Sequence, residues 1–436
     1  MLARIQECIL YRGFSDGEIL NNMAELINLY ESDEEALKAK EDQFFKSING
    51  LVELAGMYGF SGNIWHTYLT FLLVNHENAF SMASEIRGAI KGSINDLAKN
   101  DFQIFKELYD FDITVFDRVF GTVCCKVICD YQTPDENSKL FNTRIRDRIC
   151  QMSKTLAAAA TTEEFMDDMV SFYKDFGVGK LGLHKAFRID HDQNGRAVIV
   201  PVTRIAHVQL EDLVGYEIPK QKLVENTEAF VRGRKANNCL LFGDAGTGKS
   251  SSIKGILNKY YDEGLRIIEV YKHQFVDLNQ IIAQIKDRNY KFIIYMDDLS
   301  FEEFEIEYKY LKAVIEGGLE RKPENILIYA TSNRRHLVRE RAGDKLEVGA
   351  DDDIHSSDTV QEKLSLVYRF GVRIYYGAPS KKEFQTIVKA LAQRNGITMP
   401  EDELLLEANK WELSHGGLTG RTAQQFIDHL LGKVEE

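Results

Sequence analysis

Residues 240–250 read Leu-Leu-Phe-Gly-Asp-Ala-Gly-Thr-Gly-Lys-Ser, an apolar run that leads into glycines, a lysine and a hydroxyl side chain. Gly243, Gly248, Lys249 and Ser250 meet the pattern G-x-x-x-x-G-K-[ST]. Glycines allow a tight turn whose backbone N–H groups point at phosphate oxygens, and the positive end of the following helix adds to that field. The stretch therefore predicts a strand, a phosphate-binding loop and a helix that hold a nucleoside triphosphate.

Two side chains at the end of this loop have separate expected roles. Lys249 is expected to reach the β- and γ-phosphates as a point charge, and the Ser250 hydroxyl is expected to be a ligand of Mg²⁺. The predicted ligands are thus ATP and Mg²⁺. The predicted nucleotide-binding residues of the loop are Gly243, Asp244, Ala245, Gly246, Thr247, Gly248, Lys249, Ser250 and Ser251.

The composition indicates a globular protein with several domains. Its 436 residues correspond to two or three domains at about 150 residues each. Hydrophobic residues make up 44% and charged residues 28%, with only 6 prolines, which leaves little room for long disordered tracts. The net charge of -13 argues against a broad nucleic-acid surface, although a local basic patch stays open.

The cysteines and the apolar segments favour an intracellular location. The 6 cysteines form no C-x-x-C pair and are expected to be reduced thiols. We expect no secretory signal at the amino terminus, and the most apolar run, Tyr68 to Val74, is too short to span a bilayer. We expect a cytoplasmic protein without membrane contact.

The first part of the chain has the pattern of a helical domain followed by a hairpin. Up to about residue 180, apolar residues recur at spacings of three and four, and Thr161 with Glu164 predicts a capped helix. Asn194-Gly195 then predicts a tight turn between two short strands. Acidic residues at this turn resemble half of a calcium-binding loop, but Pro201 stands where a bidentate glutamate is required, so the turn explains them.

From Val208 onward the period changes to short apolar strands alternating with helices, which predicts a parallel sheet covered on both faces. Five strands are predicted, at residues 238–242, 265–270, 291–296, 326–331 and 372–376. The third ends in Asp297 and Asp298, at the sheet edge where a nucleotide's metal is expected. Asp297 is predicted to hold Mg²⁺, directly or through water, and Asp298 to act as general base, with Glu302 and Glu303 as secondary candidates for the base.

Three further polar side chains are candidates for catalysis. Asn333 follows the fourth strand, where an amide can hold the lytic water or the γ-phosphate in line. Arg369 precedes the fifth strand and Arg421 starts the last helix. Arginine suits the spread charge of a transferring phosphoryl group, so we expect Arg421 to act on its own nucleotide and Arg369 on that of a neighbouring subunit.

These motifs, in this order, resemble an AAA+ ATPase from about Val208 to the carboxyl terminus. Longer stretches are similar to the bacterial AAA+ family called domain of unknown function 815. The stretches that carry this resemblance are Leu213-Val214-Gly215-Tyr216, Asn226 to Phe230, Ala236 to Asn238, Gly246 to Ser251, Asp297 to Phe301, and Ala330 to Leu337.

The resemblance implies an α/β P-loop core with a five-stranded parallel sheet of order 5-1-4-3-2, a small helical lid, and nucleotide between them. It implies that Val214, Gly215 and Tyr216 lie against adenine, that Asn333 and Arg421 are sensors, and that Arg369 is a finger in a homo-oligomeric ring, with a hexamer as one size. Arg334 and Arg335 compete for the finger role. The domains expected are a helical domain at 1–185, a hairpin linker at 186–207, the core at 208–378 and the lid at 379–436.

Two other classes of P-loop protein fit less well. A small-molecule kinase needs an arginine-bearing lid, whereas the loop from Gly343 to Asp358 is acidic, and a GTPase needs an Asn-Lys-x-Asp motif, which the sequence lacks. Three functions stay open for an AAA+ protein. The first is a ring ATPase whose amino-terminal helical region selects an unidentified protein or nucleic-acid client for remodelling. The second is a nucleotide-controlled switch with little turnover, and the third is a loader acting on nucleic acid.

Overall fold

A computed structural model of the chain describes residues 2–89, 91–133, 143–202, 205, 208–300, 307–316, 323–333 and 367–433. Within these ranges the chain divides into two compact units, Met1–His184 and Lys185–Glu436. The first is helical and the second contains the sheet.

The first unit confirms the predicted helical amino-terminal region. Trp65, Tyr68, Phe102, Phe165 and Tyr173 are among the large side chains buried in its core. The helices are α1 Leu2–Gln6, α2 Glu18–Ser32, α3 Glu34–Lys38, α4 Glu41–Tyr58, α5 Ile64–Asn75, α6 Ala79–Arg87, α7 Ser93–Asp110, α8 Val115–Phe120, α9 Cys124–Cys129, α10 Thr143–Ala158, α11 Thr162–Phe176 and α12 Gly179–Leu183.

The cap predicted at Thr161 is present at the start of α11. The Thr161 side chain accepts a hydrogen bond from the Glu164 N–H at 3.2 Å. The Glu164 carboxylate in turn accepts one from the Ala160 N–H at 2.7 Å. The helix ends before Gly177, which has φ of 77°. The most apolar helix, α5, has 12 residues, and none of the helices described here has both the length and the apolarity that crossing a membrane requires.

Among the residues described in this unit, one group of side chains has the spacing of a metal site, namely Asp117, Cys124 and Cys125. The Asp117 carboxylate accepts hydrogen bonds from the N–H groups of Cys125 and Lys126 at 2.9 Å each, so it caps α9. Burial raises the pKa of the Cys125 thiol, and a protonated thiol is a poor ligand. Helix capping therefore accounts for this cluster, and we assign no metal to it.

The second unit contains a sheet of seven strands, so the prediction of five was wrong. The strands are β1 Ala186–His191, β2 Ala197–Pro201, β3 Cys239–Gly243, β4 Leu265–Glu269, β5 Lys291–Met296, β6 Ile326–Ser332 and β7 Val372–Tyr376, in the order β2-β1-β4-β5-β6-β3-β7. Strands β3 to β7 are the five predicted strands, and their order is the 5-1-4-3-2 that the resemblance implies.

The two additional strands are those of the predicted hairpin. β1 pairs antiparallel with β2 and parallel with β4. In the pairing with β4, Ala186 to Arg188 lie opposite Ile267 to Glu269. At the turn, Gly195 has φ of 71° and the Asp192 carboxylate accepts from the N–H groups of Asn194 and Arg196. These bonds give the Asp192 carboxylate a structural role in the turn.

The helices of the second unit form two groups. Beside the sheet lie α13 Glu217–Val231, α14 Lys249–Tyr260, α15 Leu278–Ile285 and α16 Glu307–Glu316, with 3-10 helices at Leu210–Asp212 and Lys272–Asp277. The lid consists of α17 Lys381–Arg394, α18 Glu401–His415 and α19 Gly420–Leu431. The lid has its own buried cluster, which includes Phe384, Val388 and Phe426.

Candidate nucleotide-binding site

A cleft of about 580 Å³ lies between the carboxyl edge of the sheet and the lid. Most of the predicted site residues line it. These are Val214, Tyr216, Gly246, Thr247, Gly248, Lys249, Ser250, Ser251, Asp297, Asp298, Asn333 and Arg421. Five predicted residues do not line it, namely Gly215, Gly243, Asp244, Ala245 and Arg369.

The loop between β3 and α14 has the tight backbone that its glycines predict. Gly243, Gly246 and Gly248 have φ of 131°, 73° and 89°. A Cβ atom on Gly243 would lie 2.2 Å from the Tyr376 carbonyl oxygen on the neighbouring strand. Only glycine fits there, since the loop passes directly against β7. The first N–H groups of an α-helix have no partner within the helix, and Lys249 and Ser250 at the start of α14 line the cleft.

Lys249 lies inside this loop. Its ammonium group donates to the carbonyl oxygens of Gly243 at 3.1 Å and Asp244 at 2.6 Å. Burial lowers the pKa of Lys249, while the carboxylates of Asp244, Asp298 and Asp297 oppose that shift. A triphosphate in the cleft would supply oxygens in place of these carbonyls.

Within the described residues, Asp297 accepts more hydrogen bonds than the other carboxylates that line the cleft. Its Oδ1 accepts hydrogen bonds from the hydroxyls of Ser250 at 2.8 Å, Tyr295 at 2.7 Å and Thr331 at 2.5 Å. Burial raises the pKa of Asp297, but the bonds from Thr331, Tyr295 and Ser250 outweigh it, so the pKa lies below its ordinary value. A carboxylate kept ionised beside the Ser250 hydroxyl is an all-oxygen donor pair, which fits Mg²⁺.

Asp298 and Asn333 are in direct contact. The Asn333 side-chain amide donates to Oδ1 of Asp298 at 2.8 Å. Asp298 has φ of 51°, a left-handed backbone uncommon for residues other than glycine. The Thr331 hydroxyl accepts from the Asp298 N–H at 3.0 Å and holds this turn against β6. The other two side chains predicted for catalysis are those of Arg421 and Arg369.

Arg421 lies at the lid side of the cleft. Arg369 lies before the first residue of β7, at the amino-terminal ends of the strands, whereas the cleft lies at their carboxyl ends. The Arg421 N–H donates to the Gly246 carbonyl at 3.2 Å, which joins the start of α19 to the loop. Arg369 is exposed and precedes β7, whose Tyr376 end pairs with Gly243. A strand of 5 residues is roughly 13 Å long, so Arg369 is separated from the cleft of its own chain. Arg334, Arg335, Glu302, Glu303 and the loop at 343–358 lie outside the described residues.

Tyr216 and Asp244 form hydrogen bonds to the segment that joins the core to the lid. The Tyr216 hydroxyl donates to the Gly377 carbonyl at 3.1 Å, and its ring stacks on Tyr376. The Asp244 carboxylate accepts from the Ala378 N–H at 2.8 Å. Burial, with Glu383 and Asp244 nearby, raises the pKa of Tyr216 to about 12. Tyr216 remains protonated at neutral pH and keeps this donor.

Sequence reasoning missed several residues of the site. Tyr295 and Thr331 bond Asp297, while the cleft is also lined by Asp212, Leu213, Lys220, Ser252, Tyr376, Ile387, Leu391, Gly420 and Gln424. One signal could have found the first two. Tyr295 precedes Asp297 by two positions and Thr331 precedes Asn333 by two, and alternate residues of a strand share a face.

The strand order, the loop between β3 and α14 and the helical lid together define a P-loop protein of the AAA+ class. The sequence profile of the family described as protein of unknown function (DUF815) matches residues 182–434, more than half of the chain. The chain therefore belongs to the DUF815 family.

Solved structures with partial similarity include RuvB proteins of Thermotoga maritima. Two point mutants each share 17% identity at a TM-score of 0.36, with 51% of this chain covered. The match spans 65% and 64% of their chains, less than two thirds of either. A third, described as a Holliday junction branch migration motor, shares 15% identity at a TM-score of 0.32, with 51% and 72% covered. Likeness at this level says nothing about activity or client. No curated protein matches the chain.

Proposed function

We propose that this chain is an ATPase that binds ATP with Mg²⁺ in the cleft and hydrolyses it in a homo-oligomer to remodel or load a macromolecular client. The observation that carries the proposal is the convergence of Lys249, Ser250, Asp297, Asp298 and Asn333 on one cleft. A cation, two metal-binding oxygens, a candidate base and an amide are the groups that phosphoanhydride hydrolysis requires.

The chemistry assigned to these residues follows from their atoms. Lys249 neutralises phosphate charge, and the Ser250 hydroxyl with the Asp297 carboxylate holds Mg²⁺, which supplies further charge neutralisation when bound. Asp298 accepts the proton of the attacking water, and Asn333 holds that water in line. Asp298 is one methylene shorter than the glutamate usual in AAA+ proteins, so its carboxylate reaches less far toward the γ-phosphate.

The homo-oligomer is supported by the position of Arg369. Since this arginine lies at the edge of the sheet opposite the loop, it serves a nucleotide only if that nucleotide belongs to another chain. Arg421, which lines the cleft, serves the nucleotide of its own chain. The helical unit at the amino terminus is then available for client recognition, and the net charge of -13 favours a protein client over nucleic acid.

A switch with little turnover is the second candidate, and one contact favours it. The Asn333 amide donates a hydrogen bond to the Asp298 carboxylate, which would act as base. In this arrangement the amide and the carboxylate bond each other instead of a water molecule. A protein in which this bond persists with ATP bound would change shape on binding without rapid hydrolysis.

The experiment that tests the proposal measures ATPase rate against protein concentration, with mass measured by light scattering in ATP and in ADP. A specific rate that rises as the chain assembles supports the ATPase with a site shared between subunits. A chain that binds ATP tightly and assembles without turnover supports the switch. Absence of ATP binding would refute both.

A further inference from the structure

Tyr295 is a buried tyrosine behind the cleft. It lies on β5 with 4% of its surface exposed, packed in the cluster that also contains Ile253 and Ile256 of α14. It does not line the cleft, yet its hydroxyl donates to Oδ1 of Asp297 at 2.7 Å. Tyr295 therefore contacts a candidate metal ligand from the protein interior and would not touch the nucleotide.

The donors around Asp297 all act on the same oxygen. Besides the hydroxyls of Ser250, Tyr295 and Thr331, the Asp298 N–H donates to Oδ1 at 3.2 Å. Among the residues that the structure describes, none donates to Oδ2. One oxygen is thus fixed from several directions and the other is available to a cation.

Of these donors, Tyr295 is the one whose hydroxyl can only orient the Asp297 carboxylate. The Ser250 hydroxyl is itself a candidate metal ligand, and the Thr331 hydroxyl also accepts from the Asp298 N–H. An aspartate at the exposed end of a strand otherwise turns about its Cβ–Cγ bond, and fixing that rotation in advance lowers the free-energy cost of binding a metal.

Resting on the proposed function, we propose that Tyr295 is a positioning residue that holds the Asp297 carboxylate with Oδ2 free for a divalent cation. The expected consequence of losing its hydroxyl is weaker Mg²⁺ binding with nucleotide affinity in the absence of metal unchanged. Partners that orient a metal ligand typically contribute about 10-fold or more in metal affinity.

The sheet contains a matched control, Tyr329. It is the direct partner of Tyr295 in the pairing of β5 with β6 and is fully buried in the same cluster. Its hydroxyl lies 2.9 Å from the Asn226 amide and 3.0 Å from the Thr227 hydroxyl, on α13, and it does not line the cleft. Tyr329→Phe deletes an equivalent buried hydroxyl that does not bond Asp297.

The test uses the full chain and ADP, which is not hydrolysed. ADP affinity is measured by calorimetry in EDTA, and half-saturating Mg²⁺ is measured at fixed ADP, for the parent chain, Tyr295→Phe and Tyr329→Phe. We expect Tyr295→Phe to raise half-saturating Mg²⁺ by about 10-fold with affinity in EDTA unchanged. Tyr329→Phe should match the parent in both. Thr331→Val, which removes another donor to Oδ1, should shift Mg²⁺ dependence in the same direction.

Three results would overturn the inference. They are a Tyr295→Phe variant with parental Mg²⁺ dependence, an equal shift in both tyrosine variants, and a loss of ADP affinity that is as large in EDTA as in Mg²⁺. A double variant separates orientation from packing, because Tyr295→Phe should change nothing further when Asp297→Asn is already present. Failure of the parent chain to bind any nucleotide would instead refute the proposed function.

Discussion

The Asn333 amide donates a hydrogen bond of 2.8 Å to the Asp298 carboxylate, and both residues line the cleft. One residue follows β6 and the other follows β5, so the bond links two neighbouring strand ends. Each residue is a candidate for handling the lytic water, and a water between them must replace this bond. Basal turnover should therefore depend on how readily the pair separates.

Replacing Asp298 with Asn should leave ATP binding intact and lower hydrolysis by about 10²-fold or more, because the amide cannot accept the proton of water. Calorimetry measures binding and phosphate release measures turnover. Asp287→Asn, at an exposed position outside the cleft, is the control and should behave as the parent chain. If Asp298→Asn retains full turnover, Asp298 is not the base, and Glu302 becomes the next residue to test.

Lys249→Ala should abolish tight ATP binding, since it removes the cation that lies within the phosphate loop. Lys254→Ala is a matched control, being an exposed lysine further along the same helix. Binding of a fluorescent ATP analogue measures the difference. Parental affinity in Lys249→Ala would contradict the assignment of this loop to phosphate.

Arg369→Ala should depress turnover by about 10³-fold in the assembled protein while ATP binding by a single chain is kept, because an arginine finger acts on the transition state of a neighbour. Arg373→Ala, at an exposed position further along on β7, should have little effect. Rates are compared above and below the concentration at which light scattering detects assembly. An unaltered rate at high concentration would argue against a finger at Arg369.

Arg394 should couple the lid to the segment that leads into the cleft. At the end of α17 its guanidinium donates to the carbonyls of Glu211 and Asp212 at 2.6 Å each. Leu213 and Val214, which line the cleft, come next. Arg394→Ala should weaken ATP and ADP binding by about 10-fold, as expected when hydrogen bonds from a charged group are lost.

Lys389→Ala is the control for this prediction, because Lys389 also lies on α17 and pairs only at the surface with Glu401. Both variants should keep the helical content of the parent by circular dichroism. Equal nucleotide affinity in Arg394→Ala and the parent would show that the lid and this segment bind nucleotide independently.

Much of the core followed from local pattern. Lys291–Met296 and Val372–Tyr376 have the predicted bounds, and the other three core strands differ by one residue at one or both ends. Asp297 and Asn333 each follow a strand of the predicted parallel sheet, and both line one cleft. Asn194-Gly195 predicts the hairpin but not its membership in the sheet, since the pairing of β1 with β4 joins residues about 80 positions apart.

By itself, the sequence determined the phosphate loop, the alternation of strands with helices and the strand ends that carry acids and an amide, because these are properties of consecutive residues. The tertiary structure alone decided which distant groups meet. Tyr376 lies against Gly243 and leaves no room for a Cβ. The Thr331 hydroxyl on β6 donates to Asp297 at the end of β5, and Arg394 joins the lid to Asp212. Such contacts depend on strand register and on the position of the lid, which no short stretch of sequence encodes.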